Sequence, residues 1–306
     1  MGGPTLTDRA KGISLGLGAS LAWGTVPLCA RYLTSVHTVD PILLNTARFG
    51  VASAILIAYC VATGRGKALL SAMDDAPRFI LLGLLGVVAM GSLVMVAAQH
   101  TYSTIAVLLM NSNGIFIAML AILAREKVPL VRYLGLVIGL AGCACVVVNT
   151  DQATPENVNH LIGGGAALAG ALAWAVYTLL GKAPSRRHGG VVATTCALSM
   201  GSVVMIAWTV SRGTPVELIG WDLWVLLFVA VVPTAGGFVA WYAALEYVPA
   251  NLIGPVQYAA PVLGILLGWL LLSEPIGWVF VAGAALVFVG VWIATRPRRA
   301  PQDGCR

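Results

Sequence analysis

Long apolar runs broken by short polar joints set the rhythm of this 306-residue chain. A helix needs about 20 apolar residues to cross a bilayer core. Runs of that length occupy approximately 13–33, 41–62, 78–98, 103–123, 129–149, 161–181, 190–210, 222–244, 250–272 and 276–295. The pattern therefore predicts ten membrane-spanning helices. The longest joint, "NTDQATPENVNH" at 149–160, separates five from five. The first run follows a short polar stretch and has no small-x-small site after it, so it reads as a retained span and not as a cleaved signal.

The two groups of five share wording. "LGASLAWGTV" starts at Leu17 and "LAGALAWAVY" at Leu168, which puts Trp23 and Trp174 at matching places, 151 residues apart. "REKVPLVRYLGLVIGLAG" closes the first group and "SEPIGWVFVAGAALVFVG" the second. There Glu126 matches Glu274, Gly135 matches Gly283 and Gly142 matches Gly290, each 148 residues on. A small loop insertion absorbs the difference between the two offsets. The halves are therefore read as repeats, 12–149 and 161–295. Because five is odd, the second repeat must enter the membrane upside down. A pseudo-two-fold axis in the membrane plane is a recurring design of secondary transporters, whose sites lie near the midplane between the repeats.

Composition agrees with this. Hydrophobic residues make up 59% of the chain and charged ones 10%, with mean hydropathy +0.90. Soluble domains carry about 25% charged residues, so this chain is expected to be an integral membrane protein. The 35 glycines fit close helix packing. The net charge of +6 is explained by where it falls. With the N-terminus in the cytoplasm, fifteen of the eighteen Lys and Arg residues lie on the inner side, Arg31 and Arg212 lie outside, and Arg48 lies within a span. That bias follows the positive-inside rule. It predicts a multi-pass protein with both termini cytoplasmic, and it removes nucleic acid as a partner; the membrane expected is the bacterial inner membrane. The six cysteines match no zinc or haem spacing and read as small buried hydrophobes.

On these residues the chain resembles the EamA type of the drug/metabolite transporter superfamily. The resemblance is carried by Trp23-Gly24 in the first span, Arg48-Phe49 in the second, and the closing glutamate and glycines of each half: "LAILAREKV" with Gly135 and Gly142, then "PVLGILLGWLLLSEPI" with Gly283 and Gly290. It covers roughly residues 12–295 and implies an all-α fold of ten transmembrane helices in two inverted five-helix repeats. It also implies export of amino acids or other small metabolites. One departure stands out. The family often has a proline in the middle of both the fourth and ninth spans, and here Pro261 supplies the ninth whereas "NSNGIF" occupies the fourth.

None of the twelve acidic residues falls within the middle of a predicted span, and all four histidines lie in loops. Catalysis at membrane depth would need a carboxylate pair, a metal set or a nucleophile with its base. No catalytic residue, metal site or cofactor is therefore expected, and no phosphate-binding loop is present. The missing carboxylates also restrict the cargo. A lipophilic cation at depth needs a counter-charge, so a neutral or zwitterionic solute is expected.

Interrupted helices mark the candidate site. In "LLMNSNGIF", Asn111 and Asn113 lie near the centre of the fourth span; in "NLIGPVQYAAPVLG", Pro255 and Pro261 flank Gln257 and Tyr258 in the ninth. Proline removes a backbone donor and frees a carbonyl that must face protein, water or solute. Asn111 and Gln257 are 146 residues apart, so each half offers one amide, either to the solute or to a neighbouring helix. Asn113, two residues further on, is expected about 200° away on a continuous helix. Trp23 lies too deep to be an interfacial anchor. Its recurrence as Trp174 points to cavity lining, with lipid-facing packing as the alternative. Tyr177 shares the face of Trp174, and Trp241 joins the group, whereas Trp221, Trp224 and Trp278 read as interfacial anchors. Arg48 has two readings: its stem snorkels to the headgroups, or it gates a solute carboxylate with Asn45 one turn away.

The function expected from all this is alternating-access export of small polar metabolites, neutral or zwitterionic amino acids first. The alternative is broad-specificity drug efflux. A membrane enzyme or a scaffold fits the residues poorly. The partners expected are the small-molecule solute and the lipid bilayer, with a homodimer left open.

Overall fold

The computed structural model describes residues 6–37, 39–123, 130–148, 159–213, 220–247 and 259–295. Among these residues every regular element is helical. Six helical stretches are long and apolar enough to cross a membrane: Arg9–Thr34, Pro41–Ala62, Gly66–His100, His160–Gly181, Gly190–Ser211 and Trp221–Trp241. The fourth span consists of two helices, Ser103–Met110 and Asn113–Leu123, and the fifth is Leu130–Val148. The ninth is seen from Ala259 to Leu272 and the tenth from Trp278 to Thr295.

The sequence explains the starts and bends of these helices. Asp40 accepts hydrogen bonds from the Ile42 and Leu43 backbone N–H groups, each at 2.9 Å, and Pro41 opens the second span at the position where a missing donor costs nothing. The first span breaks at Thr25, just ahead of Pro27, into Leu6–Gly24 and Val26–Arg31. The third and eighth spans each contain a widened π-helical stretch, Leu84–Ala89 and Ala230–Gly236. In the eighth, Pro233 cannot donate to the helix ladder. Wide turns of this kind free carbonyls and gather at functional sites. The two stretches lie in corresponding spans of the two repeats.

The fifth and tenth helices cross on the glycines that the repeat had matched. A β-carbon on Gly142 would lie 2.8 Å from the Gly283 carbonyl oxygen, and one on Gly290 would lie 2.7 Å from that of Gly135. Gly142 thus sits on Gly283 as Gly290 sits on Gly135. Contacts that exchange partners in this way are what a two-fold axis produces. They place the pseudo-symmetry axis of the inverted repeats between these two helices.

Each end of the bundle is tied by charges. At one end Glu274, 2% exposed, pairs with Arg31 at 3.2 Å. It also accepts from the Ser103 backbone N–H at 2.6 Å and that of Thr104 at 2.9 Å, so it caps the fourth span from the other repeat. The chain turns into this position through Ser273, whose φ is +52°. At the other end Asp75 accepts from Arg187 and His188, both at 2.9 Å, and so joins the second–third connection to the sixth–seventh.

A candidate solute site between the repeats

Two residues of the second span, one turn apart, interact with the two widened turns. Asn45 donates from Nδ2 to the Val87 carbonyl at 2.9 Å. Arg48 donates from Nε to Thr234 Oγ1 at 2.7 Å, while the Thr234 hydroxyl donates to the Val229 carbonyl at 2.7 Å. A freed carbonyl in an apolar setting has to be met by such a group.

Beside Arg48 lies an open cavity of about 110 Å³, lined by residues of both repeats. Trp23, Trp174 and Phe238 form its aromatic wall, and Arg48, Asn111 and Asn113 supply its polar groups. The rest of the lining is apolar: Val26, Pro27, Met90, Val94, Val107 and Met110. Phe238 joins the two tryptophans, with ring centroids 5.8 Å from Trp23 and 6.3 Å from Trp174. Behind them Trp241 packs on Trp23 at 5.3 Å, and Tyr177 stacks on Trp174 at 5.1 Å. Edge-on and offset ring contacts of this kind hold side chains in fixed orientations. Glycine makes the approach possible. Gly86 and Gly237 stand 151 residues apart, as the tryptophans do, and a β-carbon there would press on the Tyr177 ring and on Trp23 Nε1, respectively.

Arg48 does not snorkel. It is only 5% exposed, it lines the cavity, and its Nη1 is buried without a hydrogen-bond partner among the described residues. Its expected companion Asn45 faces the third span and does not line the cavity.

The fourth span breaks without a proline. Its first helix ends at Met110, and side chains take up the loosened carbonyls: Asn111 Nδ2 donates to Val107 O at 2.8 Å and Ser112 Oγ to Leu109 O at 2.6 Å. Short polar side chains compete with the helix ladder in this way. The break corrects the expectation for Asn113. The 200° separation belongs to a continuous helix, and across the Asn111–Ser112 turn it no longer applies. Asn111 and Asn113 both line the cavity.

Of the remaining candidates, Pro261 is buried in the first turn of the described ninth helix and is not part of the lining. Pro255, Gln257 and Tyr258 lie outside the described residues. Sequence reasoning missed Phe238 and the methionines, because an apolar residue in an apolar span gives no contrast. It also missed the Arg31–Glu274 pair, for which the Glu126–Glu274 match was the available signal.

Comparison with known proteins agrees with this architecture. Residues 10–148 and 161–296 each match the EamA-like transporter family. A protein of Archaeoglobus fulgidus named an uncharacterized transporter is 27% identical over 281 residues, 90% of this chain and 95% of its own. The uncharacterized transporter YyaM of Bacillus subtilis is 26% identical, covering 94% of each chain. A crystal structure with 23% identity superposes with a TM-score of 0.64 over 94% of this chain and 97% of its own, and shares the fold. Matched in both halves, this multi-pass membrane protein belongs to the EamA-like transporter family.

Proposed function

We propose that this transporter is a secondary carrier that exports small polar metabolites, neutral or zwitterionic amino acids first, by alternating access. The observation that carries the reading is the cavity between the repeats, to which both contribute a tryptophan from the same repeat position, Trp23 and Trp174. Inverted repeats supply two equivalent arrangements that open opposite ends around one fixed site. No acidic side chain lines the cavity among the described residues, so a cation would find no counter-charge there. The distribution of basic residues supports a plasma-membrane orientation with cytoplasmic termini and the Arg31–Glu274 end outside.

Proteoliposomes test the reading. Radiolabelled uptake is measured across a panel of amino acids and a quaternary dication, with and without a pH gradient. Faster movement of one or more neutral amino acids is the expected result. A dication carried far faster than any of them would replace export of metabolites with drug efflux.

A further inference from the structure

Arg48 sits in this cavity as a buried cation with no anion among the described residues, its guanidinium 4.7 Å over the Phe49 ring. A guanidinium has five N–H donors and does not lose its charge in a protein. Thr234 takes the Nε hydrogen and is itself held by the Val229 carbonyl, so the plane of the guanidinium is fixed. Nη1 is left buried with no hydrogen-bond partner among the described residues. Among the described residues no carboxylate lies within ion-pair distance of Arg48. An unpaired charge in an apolar setting is costly, and burial of such a group normally comes with a partner. The other polar groups of the wall, Asn111 and Asn113, are neutral. Asn111 gives one Nδ2 hydrogen to Val107 O and has Oδ1 as an acceptor.

We propose that Arg48 is the anchor for the solute's carboxylate and that the carboxylate, not the ammonium, is the group this cavity requires. The inference rests on the reading of the cavity as the transport site and names its ligand class: a small monocarboxylic acid with an apolar body, with or without an amino group. The fork of the guanidinium suits a carboxylate in geometry as well as charge. An apolar body of branched-chain size lies against the Trp23 and Trp174 walls. An α-ammonium, where present, faces Asn111 Oδ1, an indole face, or both. A solute that is only cationic meets a like charge at Arg48 and has nothing acidic to offset it.

Four probes with one branched apolar body separate the possibilities: leucine, 4-methylpentanoate, leucinamide and 3-methylbutylamine. Binding to the purified full chain in lipid nanodiscs is measured by isothermal titration calorimetry. Leucine and 4-methylpentanoate are expected to bind. The amide and the amine are expected to bind at least about tenfold more weakly, as loss of a hydrogen bond to a charged group implies. Arg48→Met lowers the affinity of both acids by about tenfold to a hundredfold. The ligand-free protein loses with it the Thr234 hydrogen bond and the Phe49 ring contact but also a buried charge without an anion, so its thermal midpoint changes little. Arg48→Lys keeps the charge but not the fork, and recovers part of the affinity.

If all four probes bind alike, the cavity keeps its role and the carboxylate assignment is wrong. If none binds, the cavity reading falls and the anchor with it. If Arg48→Met lowers the midpoint and leaves acid binding intact, Arg48 only holds the second span to the eighth. The probe series on the unmodified protein decides the case even where a variant fails to fold.

Discussion

Arg31 and Glu274 meet at 3.2 Å across the repeat boundary, Arg31 at the end of the first span and Glu274 just beyond the ninth. Arg31 also donates to the Thr101 carbonyl at 2.6 Å, and Glu274 accepts from the backbone that begins the fourth span. The last carbonyls of the third span and the first amides of the fourth are therefore satisfied by one ion pair. Any movement that opens this end of the bundle has to separate these groups or carry them together.

Removing either partner therefore leaves the other poorly compensated. Breaking a buried pair costs about 3–5 kcal/mol. Arg31, with 12% of its side chain exposed, keeps some access to polar surroundings, so Glu274→Gln is expected near the lower end. The double variant Arg31→Met, Glu274→Gln should lose less than the sum of the singles, with a coupling of about 0.5–3 kcal/mol. Reversible unfolding in mixed micelles measures it. Zero coupling would leave Glu274 as a helix cap alone.

The crossing of the fifth and tenth helices should tolerate no added methyl. Gly290→Ala places its β-carbon against the Gly139 backbone, and overpacking of this kind costs about 1–3 kcal/mol. Gly165, which has nothing within 4 Å of an added β-carbon, is the control. Gly165→Ala should leave the detergent melting temperature unchanged or slightly raised. Equal effects at both sites would show that the glycine contact is not tight in the membrane.

The two asparagines of the fourth span should behave alike. A hydrogen bond contributes about 0.5–1.5 kcal/mol and an unsatisfied partner costs about 1–3. Asn111→Ala and Asn113→Ala should each weaken solute binding by about threefold to a hundredfold. A silent Asn113→Ala beside a damaging Asn111→Ala would restore the continuous-helix geometry. Normal binding with easy unfolding in both would make these amides helix fasteners.

Orientation is open to direct chemistry. The excess of basic residues predicts that position 157, in the joint between the repeats, faces away from the cytoplasm. A cysteine introduced there in place of Asn157 should react with an impermeant maleimide added to intact cells. Reaction only when the cytoplasmic side is exposed would reverse the topology.

The sequence by itself determined the solvent and the plan. Twenty-residue apolar runs, scarce charge and a repeat carried by Trp23, Trp174 and the closing glycines are local or periodic signals, and they specify ten helices in two inverted halves without reference to any contact. The same repeat identified Trp23 and Trp174 as a pair before their shared wall was visible. Tertiary structure decided the rest, because a helix face has no meaning in a membrane until its neighbours are placed. In an apolar chain, Phe238 and Met90 are indistinguishable from lipid-facing residues until packing turns them toward a cavity. Asn113 came to the cavity only because the helix breaks beside it, and a broken helix does not keep the 100° step from which its direction was read. Arg48 was the sharpest case. From sequence, a cation within reach of the headgroups can snorkel. Packing against Thr234 and the eighth span turned it inward and left one of its donors without a partner among the described residues.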